Sequence, residues 1–84
     1  MSIFPAAESV RFDDFKMWVD LNDGRTLGIP LAWYPRLLRG TPALREQYFI
    51  SPSGLHWDEL DEDISIAGLI AGRADMTVAS KQAA

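Results

Sequence analysis

The chain contains no cysteine. That excludes disulfides, thiolate metal sites and cysteine nucleophiles. Small secreted domains normally depend on such staples, so their absence argues for a reducing cytoplasm. Histidine occurs once, at His56, which leaves imidazole chemistry a single position. Basic charge is scarce as well: the net charge is −4, which offers no general attraction to nucleic acid or anionic lipid. Long apolar runs are missing. The longest, Ile64 to Gly72, falls far short of the ~20 residues of a bilayer-spanning helix. The opening MSIFPAAES has neither the basic start nor the apolar stretch of a signal peptide.

What the chain does have suits a single small domain. Its 84 residues are 48% hydrophobic and include three Trp, four Phe and two Tyr, enough large apolar side chains to offset chain entropy. Burial on folding is nevertheless modest at this size, roughly 60–65% of the unfolded surface, so the margin is thin.

Residues 1–7 read as a loose arm. Val10 and Phe12 alternate with Ser9 and Arg11 as a first short strand, and Asp13-Asp14 closes it. From Phe15 to Leu21 the alternation is clear: Phe15, Met17, Val19 and Leu21 share one face, while Lys16, Trp18 and Asp20 share the other. Asn22-Asp23-Gly24 is a hairpin turn. A two-residue loop would turn Leu27 and Ile29 to the polar face. A three-residue loop, with Gly24 left-handed, sets Val19 opposite Leu27 and keeps the apolar residues together, and burial selects it.

Pro30 ends the strand. Leu31, Tyr34, Leu37 and Leu38 follow at helical spacing, broken by Pro35 into two short turns that stop at Gly40. Thr41 as N-cap and Pro42 at the first helical position start a helix of about two turns, ending before Tyr48. A second hairpin joins Phe49-Ile50-Ser51 to Leu55-His56-Trp57 through Pro52-Ser53-Gly54. The same three-residue chemistry, with Gly54 at the bulge, sets Phe49 opposite Trp57. The acidic run Asp58 to Asp63 then leads to Ser65, the N-cap of a helix from Ile66 to Ala71 that Gly72 stops. Residues 73–84 read as a fraying tail. The expected fold is α+β: a small antiparallel sheet of two hairpins plus an N-terminal strand, with short helices in the middle and at the C-terminal end of a domain spanning 8–72.

This order of elements resembles a bacterial family of small proteins known as domain of unknown function 2442. Three stretches carry the likeness: Phe15 to Gly24; the middle with Trp33, Pro35-Arg36-Leu37, Thr41-Pro42 and Arg45; and the closing segment with Gly54, His56-Trp57, Leu60 to Ser65 and Gly68-Leu69. Relatives often carry proline after the Trp, where this chain has Asp58. The resemblance implies a small α+β fold and no transferable activity, cofactor or catalytic set. It also implies stand-alone adaptors or the smaller partners of two-gene modules, some of toxin–antitoxin type.

The candidate sites are few. The acidic run offers oxygens for a divalent cation but lacks the alternating D-x-D-x-D-G loop of a calcium hand. A solvated helix cap and a guard against edge pairing are the plainer roles. His56 and Asp58, two apart in a strand, share a face, and that spacing permits a dyad. No G-x-S-x-G accompanies it, and Ser51, Ser53 and Ser65 fall at turn or cap positions, so a half-exposed strand histidine is the plainer reading. Trp33, Tyr34, Arg36, Arg39 and Arg45 form the one aromatic–basic cluster, the mixture that dominates protein-interface hot spots. Trp18, on the polar face of its strand, needs either the helical middle or a partner to cover it.

The expectation is therefore a cytoplasmic, non-enzymatic interaction or adaptor domain, with no cofactor, metal or catalytic residues. It would bind another protein or itself as a dimer through Trp18, Trp33, Tyr34, Arg36, Arg39 and Arg45. One alternative is a small hydrolase-like or metal-dependent enzyme using His56 with Asp58. Another, disfavoured by charge, is a nucleic-acid-associated regulator using Arg36, Arg39 and Arg45.

Overall fold

The structure, a computed structural model, describes residues 5–72. Residues 1–4 of the expected arm and the expected tail at 73–84 lie outside the described residues. Six strands form two antiparallel sheets, ordered β1-β2-β3 and β4-β5-β6, in place of the single sheet expected. β1 (Ala7–Phe12), β2 (Lys16–Leu21) and β3 (Thr26–Pro30) make the first; β4 (Phe49–Ser51), β5 (Gly54–Trp57) and β6 (Glu62–Ser65) make the second. Between them run a 3-10 turn (Leu31–Trp33), α1 (Pro35–Arg39) and α2 (Pro42–Arg45), and α3 (Ile66–Ile70) follows β6.

The first sheet follows the hydrophobic alternation. Met17, Val19 and Leu21 point into the core, Val19 opposes Leu27 and Met17 opposes Ile29. The three-residue loop is the one formed: Leu21 N–H donates to Arg25 O at 2.8 Å, and Gly24 sits at φ 94°, a region L side chains rarely enter. In β1 a bulge between Ala7 and Ser9 lets Ala7 and Val10, three positions apart, both face inward. Ala7, assigned by sequence to the arm, thus opens a strand. Phe15 does not join Met17 and Val19. It precedes β2 in the turn held by Asp13, whose carboxylate accepts from Phe15 N–H (2.8 Å) and Lys16 N–H (2.7 Å), and its ring is 79% exposed.

Pro30 and Pro35 bracket the 3-10 turn as expected, and Thr41 Oγ1 accepts from Leu44 N–H at 3.2 Å at the start of α2. α2 is one turn rather than about two.

The second hairpin departs from expectation by one residue. Its loop is Pro52-Ser53, with Ser51 opposite Gly54, Ile50 opposite Leu55 and Phe49 opposite His56. This register points Ile50 inward with Leu55 and turns Phe49 outward, half exposed. Gly54 is not a left-handed bulge. It lies in a central strand, where a Cβ would meet Ile64 O at 2.7 Å.

The acidic run also departs from a simple helix leader. Asp58 to Asp61 form a turn with Asp61 at φ 52°, a conformation Asp tolerates. Glu62 and Asp63 then belong to β6, Glu62 buried and Asp63 exposed. Ser65 caps α3, accepting from Gly68 N–H at 2.9 Å.

Both sheets, α1 and α3 share one core. Trp57 is its largest fully buried side chain, edge-on to Phe12 at 6.5 Å and beside Tyr48 at 6.3 Å, with Nε1 donating to Arg45 O at 2.9 Å. Leu37 and Tyr34 close the core from α1 and its N-cap. Among the described residues no helix is long and apolar enough to cross a membrane.

Candidate functional site

Two surfaces carry the chemistry. The first is the α1 side. Trp33 is half buried against the core and Tyr34 is 5% exposed, so both aromatics contribute mainly to packing. Arg45 is committed: its Nε donates to Leu37 O (2.7 Å) and its terminal nitrogen to Leu38 O (2.9 Å), satisfying carbonyls at the end of α1. Arg36 donates to Asp61 O at 2.6 Å and joins α1 to the β5–β6 turn. Arg39 is exposed, with no hydrogen bond or ion pair among the described residues, and beside it Leu38 is 46% exposed.

Trp18 lies elsewhere, on the outer face of the first sheet. Its ring covers Gly28, where a Cβ would come within 2.6 Å of it, and Lys16 Nζ stands 5.3 Å from the ring centroid. Trp18 Nε1 donates to Asp13 Oδ2 at 2.8 Å, and this bond is the largest cause holding the Asp13 carboxyl below its ordinary value. The indole is partly buried, with Gly28, Lys16 and Asp13 as its neighbours on this face. Two positions along the same strand from Trp18, Asp20 accepts from groups on the neighbouring strands: Ser9 Oγ (2.7 Å), Thr26 Oγ1 (2.8 Å) and the Arg11 guanidinium (3.1 Å). These bonds, Ser9 first, lower its pKa to about 2.

The second surface is the outer face of the β4-β5-β6 sheet. His56 Nδ1 meets Asp63 Oδ1 at 2.7 Å, and His56 Nε2 meets Ser51 Oγ at 2.7 Å. The dyad that the spacing of His56 and Asp58 permitted does not form. Asp58 is in the turn, whereas β6 places Asp63 directly across from His56. Ser51 reaches the imidazole because it lies opposite Gly54, diagonally from His56. With no side chain at 54, the ring leans back over that position, 3.4 Å from where a Cβ would stand. Phe49 stacks on the other side of this pair, centroid to centroid 4.9 Å. The His56 side chain is 25% exposed and that of Asp63 76%. An exposed pair of this kind contributes little to stability, about 0–1 kcal/mol.

Among the described residues, no three His, Asp or Glu side chains gather as a metal-holding group. The acidic run is divided by the hairpin among a turn, a buried position and the His56 contact.

The arrangement defines a class: a small α+β domain of two three-stranded antiparallel sheets around one core. The family described as "Protein of unknown function (DUF2442)" matches residues 7–75, and the chain belongs to that family. Two solved structures are similar. One is a protein of unknown function from Rhodospirillum rubrum ATCC 11170, 32% identical over 86% of this chain and 92% of that one, TM-score 0.73. The other is an uncharacterised protein from Chromobacterium violaceum, 26% identical over 83% of this chain and 68% of that one, TM-score 0.71. No curated protein matches the chain.

Proposed function

We propose that the chain is a cytoplasmic protein-interaction or adaptor domain, the smaller partner of a two-gene module of the toxin–antitoxin kind, and that it binds through the outward side of α1. The observation that carries this reading is the pairing of Leu38 with Arg39. An apolar side chain 46% exposed stands beside a cation with no partner among the described residues. Half-buried Trp33 lies in the 3-10 turn that precedes α1, and an aromatic with an arginine and an exposed aliphatic is the composition of an interface centre. The same geometry disfavours nucleic acid. Of the three arginines that reading needs, Arg45 and Arg36 already donate to backbone carbonyls, leaving Arg39 alone.

The test is co-expression with the product of the adjacent gene, followed by affinity purification and native mass spectrometry. The reading expects a complex with the parent chain that is lost with Leu38→Asp and with Arg39→Glu, while both variants keep the parent melting temperature. A complex unaffected by either variant would place the interface elsewhere. A homodimer with no second protein would replace the hetero-partner with a second copy.

A further inference from the structure

Ser51, His56 and Asp63 come from three strands and form one continuous hydrogen-bonded chain on the outer face of the second sheet. We propose that Ser51 is a nucleophile, activated by His56 and Asp63, that takes a small acyl group from an activated ester. This goes beyond the binding reading and uses none of its residues.

The argument begins with the tautomer. A carboxylate only accepts, so Asp63 Oδ1 at 2.7 Å fixes the proton of neutral His56 on Nδ1. Nε2 is then a lone-pair acceptor, and the Ser51 hydroxyl facing it at 2.7 Å donates to it in preference to its other acceptor, Gly54 O at 3.4 Å. That polarity is what general-base activation of a serine requires. The imidazole is held on two sides: Phe49 stacks at 4.9 Å, and Gly54 leaves clear the space into which the ring leans. A shallow recess of about 250 Å³ lies against the His56 and Asp63 members of the chain, walled also by Ser53, Gly54, Ile64 and Ser65; Ser51 itself is not part of its wall.

In the reaction, Ser51 Oγ attacks the ester carbonyl carbon as its proton passes to His56 Nε2. The new Oγ–C bond forms, the C–O bond to the leaving group breaks, and the Nε2 proton leaves with the departing oxygen as an alcohol or phenol. Water attacks the acyl-serine by the same route in reverse, releasing a carboxylic acid and restoring Ser51. Pro52 follows Ser51 and has no N–H to offer a developing oxyanion. The site is therefore suited to donors with good leaving groups rather than to amides.

The test uses a fluorophosphonate, which phosphonylates an activated serine with loss of fluoride and requires no turnover. The full chain at pH 8 is incubated with the reagent, and intact mass and peptide mapping locate the adduct. The expected result is a single adduct on Ser51 in folded protein and none in heat-denatured protein. Labelling should be absent in Ser51→Ala, at least about 10²-fold slower in His56→Gln, and unchanged in Ser9→Ala, whose hydroxyl lies on the other sheet. The Asp63→Asn variant should label more slowly while keeping the parent circular dichroism spectrum. No adduct on Ser51 in the folded parent overturns the proposal, since that measurement depends on no variant folding. Equal labelling of parent and His56→Gln overturns it too, and reduces the chain to a cross-strand ladder.

Discussion

Each sheet contains a hairpin with a glycine at the third position of its turn sequence, Asn22-Asp23-Gly24 and Pro52-Ser53-Gly54, yet the two are built differently. In the first, Asn22-Asp23-Gly24 forms a three-residue loop and Gly24 supplies a positive φ. In the second, Pro52-Ser53 forms a two-residue loop and Gly54 is part of the strand. The difference lies in what the glycine must avoid. Gly24 has nothing within 4 Å of its absent Cβ, so only its backbone conformation demands glycine; Gly54 has Ile64 O at 2.7 Å, so demand comes from the neighbouring strand. A glycine beside a turn marks either a backbone angle or a close approach, and a third strand decides between them. In this chain that decision also fixes which side chains share the outer face: Ser51 and Phe49 with His56, where the three-residue register would set Ile50 opposite His56.

Four changes break or sharpen this contrast. The largest effect belongs to Gly54→Ala, whose methyl is driven against a backbone carbonyl that cannot rotate away. We expect a loss of about 3 kcal/mol in urea titrations, with the His56 ring displaced. An unchanged midpoint would mean β6 does not lie against β5. Gly24→Ala meets no steric obstacle and is strained only in φ, so its expected loss is smaller, about 1–2 kcal/mol; equal losses at the two positions would erase the distinction. Removing the cap of α3 with Ser65→Ala should cost about 1 kcal/mol, seen as a lower midpoint with the slope unchanged. The smallest effect is the pH response of the first sheet. The pKa of Asp20 is about 2 when folded, below its value of about 3.9 in an unfolded chain. The unfolded state therefore binds more protons in between, and this contribution is complete above about pH 4 and disappears as pH falls toward 2. Asp20→Asn should flatten the acid limb of the melting-temperature profile, an effect weakened by salt because the group is exposed.

The first sheet was legible because one face is apolar and a one-residue slip would have exposed Leu27 and Ile29. The caps at Thr41 and Ser65 and the interruptions at Pro30 and Pro35 were legible because their chemistry is local. β6 was not. Glu62-Asp63-Ile64-Ser65 reads as acidic lead-in to a helix, and only its pairing with β5 makes it a strand. Without β6 there is no reason to place Gly54 in a strand, Phe49 outside or Asp63 beside His56. The partner of His56 was hidden at the same point: the alternative offered it Asp58, the carboxylate nearest in sequence, whereas Asp63 is the one that meets it in space. Phe49 and Ile50 are both apolar, so pattern alone gave no preference for either face. The arginines show the converse. Their types suggested an interface, but the roles of Arg36 and Arg45 toward backbone carbonyls depend on contacts between segments seven or more residues apart.

The register of the second hairpin is what brings Ser51, His56 and Asp63 together, and a cross-strand nuclear Overhauser measurement reads it directly. In the two-residue register Ile50 and Leu55 form a non-hydrogen-bonded pair, which brings their Hα protons close. A strong Hα–Hα cross-peak between Ile50 and Leu55 is the predicted result. A strong peak joining Ile50 Hα to His56 Hα, the non-hydrogen-bonded pair of the three-residue register, or backbone contacts setting Phe49 opposite Trp57, would contradict it.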